Sequence, residues 1–182
     1  MDERPPESAA IECGGLRVSC EPQSQVAALR HLDAGGQFAA AVRDVLGRPL
    51  PAPLQATMIA DSAGELRFLL AWRSPSETLL LSREPVTFAA LEARLLTVED
   101  GCLVEQTDGI LPVRVQGTRA REILLRLASA ASIPPPGAAH SLRLADLHVL
   151  AVCLQPEEYL LFVERVYVEH LMEWMRATVA DF

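Results

Sequence analysis

The chain has 182 residues, half of them hydrophobic and 22% charged, with a formal net charge of −8. That is the profile of a globular protein with a full core rather than a disordered one. The acidic balance excludes a general nucleic-acid surface. All 16 basic residues are arginine, so neither a phosphate-loop lysine nor a Schiff-base lysine is available. No apolar run approaches the roughly 20 residues of a membrane-spanning helix, and Met1 to Pro6 lacks the positive-then-apolar pattern of a secretory signal. A cytoplasmic location is expected.

Residues 1–11 are polar and proline-bearing, and they read as a flexible tail. Residues 15–20 alternate apolar and polar, as a half-buried strand does. Residues 25–32 fit either a strand or a helix. Gly35-Gly36 then opens a helix in which Phe38, Ala41, Val42, Val45 and Leu46 share one face. Gly47 suits a left-handed cap, and Pro49 prevents continuation. After a proline-spaced connector come apolar stretches at 56–60, 66–72 and 78–82. Tight turns at Asp61–Gly64 and Ser74-Pro75 join them into an antiparallel meander. Pro85 suits the first turn of a helix over 86–96.

The same order then recurs. Residues 102–106 and 110–115 flank Thr107-Asp108-Gly109, a hairpin signal, and Gly117 precedes a helix whose Ile123, Leu124 and Leu127 pack inward. A connector rich in proline, Ile133 to Gly137, leads to a second meander at 140–144, 147–154 and 159–163. The closing helix, about 165–179, carries Val168, Leu171, Met172 and Met175 as one stripe. At a constant offset of 81 positions, Pro75 matches Pro156, Glu77 matches Glu158, Leu79 matches Leu160 and Leu80 matches Leu161. The fold class is therefore α+β: two tandem repeats of strand, helix, three strands, helix, with mostly antiparallel sheets and helices on one face. The expected halves are 12–97 and 98–182, packed as one unit.

Motifs of catalysis are missing. Gly14-Gly15 and Gly35-Gly36 are isolated pairs that read as turns or caps, and there is no GxSxG elbow. The cysteines at 13, 20, 102 and 153 lack zinc-knuckle spacing and read as buried, reduced and structural, with no metal site. Trp72 and Trp174 are candidates for association anchors, because large aromatics with a polar handle dominate interface cores. Tyr167 falls on the same helical stripe as Trp174. Arg165, where a strand hands over to the last helix, is a candidate to grip a carboxylate of a partner through its planar fork.

Four strings, in this order and spacing, carry a family resemblance: AWRSPSETLLLS, LPVRVQGTRAREILLRL, SLRLADLHVLAV and EEYLLFVERVYVEHLMEWM. They resemble the folate-binding aminomethyltransferase superfold of glycine-cleavage T-proteins, and within it the gamma subunits of heterotetrameric sarcosine oxidases. The likeness spans about residue 16 to residue 176. It implies a T-protein-like fold and a non-catalytic small subunit of an oxidoreductase complex in one-carbon metabolism. Alpha, beta and delta subunits would be the partners, and the complex would oxidise sarcosine or another N-methyl amine. FAD, FMN, NAD, zinc and tetrahydrofolate would sit on those other chains, with no cofactor and no catalytic residue here. Purified alone, such a subunit is expected to show an exposed apolar patch or to self-associate. The alternative is a stand-alone folate-binding or folate-dependent protein. Related proteins hold the pterin ring with an acidic residue, which makes Asp108 the pterin candidate, although Asp-Gly is also what a tight turn requires. Glu105 and Asp61 read as strand surface and turn.

Overall fold

Eleven strands and four helices form among the described residues of the computed structural model, 10–180 apart from the side chains at 85 and 86. The strands are β1 (Ile11–Cys13), β2 (Leu16–Cys20), β3 (Gln25–His31), β4 (Ala56–Ala60), β5 (Leu66–Ser74), β6 (Glu77–Ser82), β7 (Gly101–Glu105), β8 (Ile110–Gly117), β9 (Ala139–Leu144), β10 (Leu147–Gln155) and β11 (Glu158–Glu164). The helices are α1 (Gln37–Leu46), α2 (Pro85–Leu95), α3 (Ala120–Leu127) and α4 (Val168–Ala180). They make two compact units. One holds a six-stranded sheet in the order β1-β2-β8-β11-β10-β9 with α3 and α4, the other a five-stranded sheet in the order β4-β5-β6-β3-β7 with α1 and α2. The pairings β2–β8, β8–β11, β10–β11, β3–β7, β3–β6 and β5–β6 are all antiparallel. The α+β class and the two antiparallel sheets are as the sequence predicts.

The boundaries differ from the expected halves 12–97 and 98–182. β2, at the start of the chain, pairs with β8, so that Val18 lies opposite Val115. β7, at the start of the second half, pairs with β3, so that Leu103 lies opposite Leu29. Each half therefore donates its opening strand to the other half's sheet. This also corrects the hairpin expected around Thr107-Asp108-Gly109, because β7 and β8 lie in different sheets. A two-residue hairpin turn favours positive φ, and Gly109 is not among the positive-φ residues. Residues 25–31 resolve as a strand, the third of the chain. The tail expected at 1–11 lies almost wholly outside the described residues, and Ile11 already belongs to β1, 8% exposed.

Within each unit the helices cover one sheet face. In the first, Ile123 and Leu124 of α3 and Leu171, Met172 and Met175 of α4 share a core with Val18, Val113, Val115, Tyr159 and Leu161. In the second, Phe38 and Val42 of α1 and Leu91 of α2 share a core with Ala27, Leu29, Leu70 and Leu80. Side chains alternate along a strand, yet Val152, Leu160 and Phe162, one step out of phase, are buried too. Burial on both faces explains why β10 and β11 read as near-continuous apolar runs. Gly47 closes α1 at φ 69°, its N–H donating to the Arg43 carbonyl. Gly117 has φ 114°, and a Cβ there would stand 1.8 Å from the Gly15 carbonyl oxygen, so only glycine fits. Among the described residues no helix is long and apolar enough to cross a membrane.

The cysteines depart from the expectation that all are buried. Cys153 is buried, but Cys13 and Cys102 are exposed on the short strands β1 and β7, where side chains of one face meet solvent.

Candidate interaction surface

The passage from β11 to α4 is built by a pair of backbone latches. Residues Arg165–Tyr167 form one 3-10 turn. The Arg165 N–H donates to the Gly109 carbonyl at 2.8 Å, and Arg165 Nε donates to the Asp108 carbonyl at 3.0 Å. Arg165 thus spends part of its fork on a loop 57 residues away, which holds the start of α4 against the entry to β8. The turn that it pins leaves Val166 and Tyr167 exposed.

From there the helix is amphipathic as predicted. Val168, Leu171, Met172, Met175 and Val179 are buried. Trp174 falls beside that stripe and stays 48% exposed, close to Tyr167 at 47%. Its indole Nε1–H donates to His170 Nε2 at 3.1 Å, and the two rings meet edge to face with centroids 6.3 Å apart. That bond requires His170 to be unprotonated at Nε2. The result is a large aromatic held in one orientation at the surface, which costs less entropy to bury against another molecule than a free one.

Of the sequence candidates, Arg165, Tyr167 and Trp174 come together on this stretch. Trp72 does not; it is a partly buried residue of β5 in the other unit. Asp108 is exposed, in the loop whose carbonyl Arg165 engages. Glu105 is exposed on β7. The Asp61 carboxylate accepts the N–H groups of Ala63 and Glu65 at 2.8 and 2.9 Å, a turn built around one side chain. Among the described residues no group of three or more His, Cys, Asp or Glu side chains is placed to hold a metal ion.

Four polar arrangements escape a reading of the sequence. Arg114, in the middle of β8, donates to both Glu21 and Glu158, and the three side chains are only 13%, 11% and 23% exposed. Burial pulls the guanidinium pKa down, but the hydrogen bond and charge of Glu21, with the charge of Glu158, more than reverse this and raise it. In the other sheet Glu77, the residue matched to Glu158 by the 81-residue offset, accepts from Arg30 and Arg73 at 3.0 and 2.8 Å. Each sheet therefore ties its second hairpin strand with an arginine–glutamate pair. Asp100 caps a helix 62 residues away: its Oδ1 accepts the Phe38 N–H at 2.9 Å at the start of α1, where Gly36 offers no side chain. His31, at the end of β3, is buried and stacks on Phe38, with Nδ1 lacking a partner among the described residues. The only sequence signal for any of these is polarity inside an apolar strand, as in Val113-Arg114-Val115.

No family model matches the sequence, and no curated protein matches it. Similarity is seen with solved structures. A chain of heterotetrameric sarcosine oxidase from Corynebacterium sp. U-96, in complex with pyrrole 2-carboxylate, superposes with a TM-score of 0.82 at 20% identity. The alignment covers 97% of this chain and 90% of that one. The glycine cleavage system aminomethyltransferase T from Bartonella henselae superposes with a TM-score of 0.63 at 12% identity, over 89% of this chain and 45% of that one. The fold is shared with both. It is the T-protein-like fold that the four sequence strings imply, and at these identities the likeness speaks for the fold alone.

Proposed function

We propose that this chain is the small, gamma-type subunit of a sarcosine-oxidase-like flavoenzyme complex, and that it acts by being bound rather than by catalysis. The observation that carries the reading is one of coverage. The alignment covers 90% of a chain from a heterotetrameric oxidase but only 45% of the glycine cleavage system aminomethyltransferase. Support also comes from α4, where a half-exposed tyrosine and tryptophan flank a helix that is otherwise well packed. In this reading alpha, beta and delta subunits carry FAD, FMN, NAD, zinc and tetrahydrofolate, and this chain braces the larger of them in a soluble, cytoplasmic assembly. The substrate of the whole would be sarcosine or another N-methyl amine.

Affinity capture of the tagged chain from its native lysate tests this. Recovery of a large chain with flavin absorbance, at fixed stoichiometry through gel filtration, is expected. Capture without any flavin would refute the reading. Calorimetric titration of the isolated chain with tetrahydrofolate addresses the stand-alone folate reading, and no heat of binding is expected up to high micromolar ligand.

A further inference from the structure

Each sheet has two edge strands, and three of the four are protected. An open edge presents unpaired N–H and C=O groups to other chains, and proteins blunt it with shortness, charge, bulges or a covering segment. β1 is three residues long with Glu12 at its centre. β4 bulges between Ile59 and Ala60, and its start is covered where the Ala56 N–H donates to the Gly137 carbonyl at 2.8 Å. β9 carries His140 and Arg143, and its first residue, Ala139, donates to the Leu54 carbonyl at 2.9 Å. β7 has none of these devices. Its register against β3 runs without a shift from Gly101 to Glu105, and its single charge stands at the last position.

That register fixes which groups of β7 are free. The Leu32 N–H donates to the Asp100 carbonyl at 2.9 Å, and the Gln106 N–H to the Val26 carbonyl at 2.7 Å. This is the antiparallel pattern in which Cys102 and Val104 exchange bonds with Arg30 and Ala28. The N–H and C=O groups of Gly101, Leu103 and Glu105 therefore point away from β3, and no hydrogen bond reaches them among the described residues. The two most exposed large hydrophobics among those residues, Leu32 at 87% and Leu96 at 83%, flank the start of this edge. Leu32 lies beside Asp100, and Leu96 on the connection from α2.

β7 also complements itself. With a two-fold axis through Leu103, its whole length overlaps that of a second copy, and every outward N–H and C=O finds a partner. Gly101 then stands opposite the partner's Glu105, so the one charge meets a residue without a side chain instead of a like charge. Cys102 stands opposite the partner's Val104, and the partly buried Leu103 opposite the partner's Leu103. An axis moved to Glu105 would bring two carboxylates face to face. We propose that β7 is the docking edge for a second copy of this chain, which pairs antiparallel about Leu103 and joins the two five-stranded sheets into one. The ladder is short, so the dimer is weak and exchanges with monomer. The inference concerns the isolated chain and does not rest on the subunit reading.

Sedimentation equilibrium of the full chain from about 1 μM to about 1 mM tests this, and a monomer–dimer equilibrium is expected within that range. Leu103→Pro removes an N–H that makes no bond inside the chain, so the fold keeps its ladder while the partner's Leu103 carbonyl loses its donor. It should weaken dimerisation at least about ten-fold, and so should Cys102→Lys, at an exposed position of the same edge. Met58→Lys on β4 and Trp174→Ala on α4 should leave it within about two-fold. Circular dichroism and the melting temperature verify that each variant folds. Oxidation in a Cys13→Ser background reads the register. Opposed residues of a non-hydrogen-bonded pair have Cα atoms about 4.5 Å apart and diagonal ones about 7–8 Å, whereas a disulfide spans about 4.4–6.8 Å. Val104→Cys should therefore give covalent dimers through Cys102, and Cys102 alone should give none.

A monomer up to about 1 mM, a dimer indifferent to Leu103→Pro and Cys102→Lys, or crosslinking through Cys102 alone overturns the proposal. So does a dimer lost with Met58→Lys or Trp174→Ala, because the contact then lies elsewhere. A monomer whose partner in lysate is lost with Leu103→Pro overturns it too, since the edge then takes a strand of another protein. Failure of the dimer leaves the subunit reading untouched, and a lysate capture without flavin leaves the dimer in place.

Discussion

Removing Arg114 probes the polar arrangement on which β8 depends. The Arg114→Met substitution keeps the length and apolar stem of the side chain but removes the cation that Glu21 and Glu158 share. Both carboxylates are mostly buried, 11% and 23% exposed. Breaking a buried ion pair from one side costs about 3–5 kcal/mol, because a charge is left uncompensated in a poor solvent. The residual exposure of all three groups places the expected loss near the lower end, about 3 kcal/mol. For a chain of this size each kcal/mol moves the melting temperature by roughly 2–4 °C, so a drop of about 6–12 °C is expected. Urea unfolding at neutral pH, followed by circular dichroism, measures it directly. A triple variant, Glu21→Gln, Arg114→Met, Glu158→Gln, removes both carboxylate charges as well and should recover most of the loss. A cost below about 1 kcal/mol for Arg114→Met, or a triple variant no better than the single one, would refute the reasoning.

Three further outcomes are expected. Val18→Asp buries a charge at a fully buried position of β2; hydrogen exchange should accelerate in β8, β10 and β11, and not in β5 and β6, because β2 belongs to the sheet of the later strands. Asp100→Ala removes the cap of α1 and should cost about 1 kcal/mol in urea unfolding, whereas Asp100→Asn should retain most of it. Burial, with the neighbouring Cys153, pushes the Tyr159 phenol up to about 12 from an ordinary value of 10. The unfolded chain then loses this proton first, so the stabilisation is complete below pH 10 and is lost as pH rises to 12. Phenolate absorbance in a Tyr167→Phe background should show the ionisation of Tyr159 near pH 12, coincident with alkaline unfolding; ionisation near pH 10 in a still folded chain would contradict its burial.

The candidate surface was legible in the residues that make it. Tyr167 and Trp174 stand out as large aromatics with a polar handle, and Arg165 as the residue where a strand hands over to a helix; the 3-10 turn and α4 place all three on that stretch. The role of Arg165 was not legible, since its acceptor is a backbone carbonyl 57 residues away. Nor was the tether between Trp174 and His170, which depends on rotamers as well as on the spacing of four.

Local physics, written in the chain itself, decided the class of the protein. The period of apolar residues named helices and strands, glycine at a left-handed cap ended α1, and tight turns built both meanders. What the chain could not declare is which strand lies beside which. Alternation marks a strand as half-buried but names no neighbour, and hydrogen-bonding edges are alike. The crossing of β2 and β7 into each other's half, the ion triad of Arg114 with residues 93 and 44 positions away, and the capping of α1 by Asp100 arise only when distant segments compete for the same burial. Tertiary structure settles that competition, because backbone edges and buried charges must find partners wherever the chain supplies them.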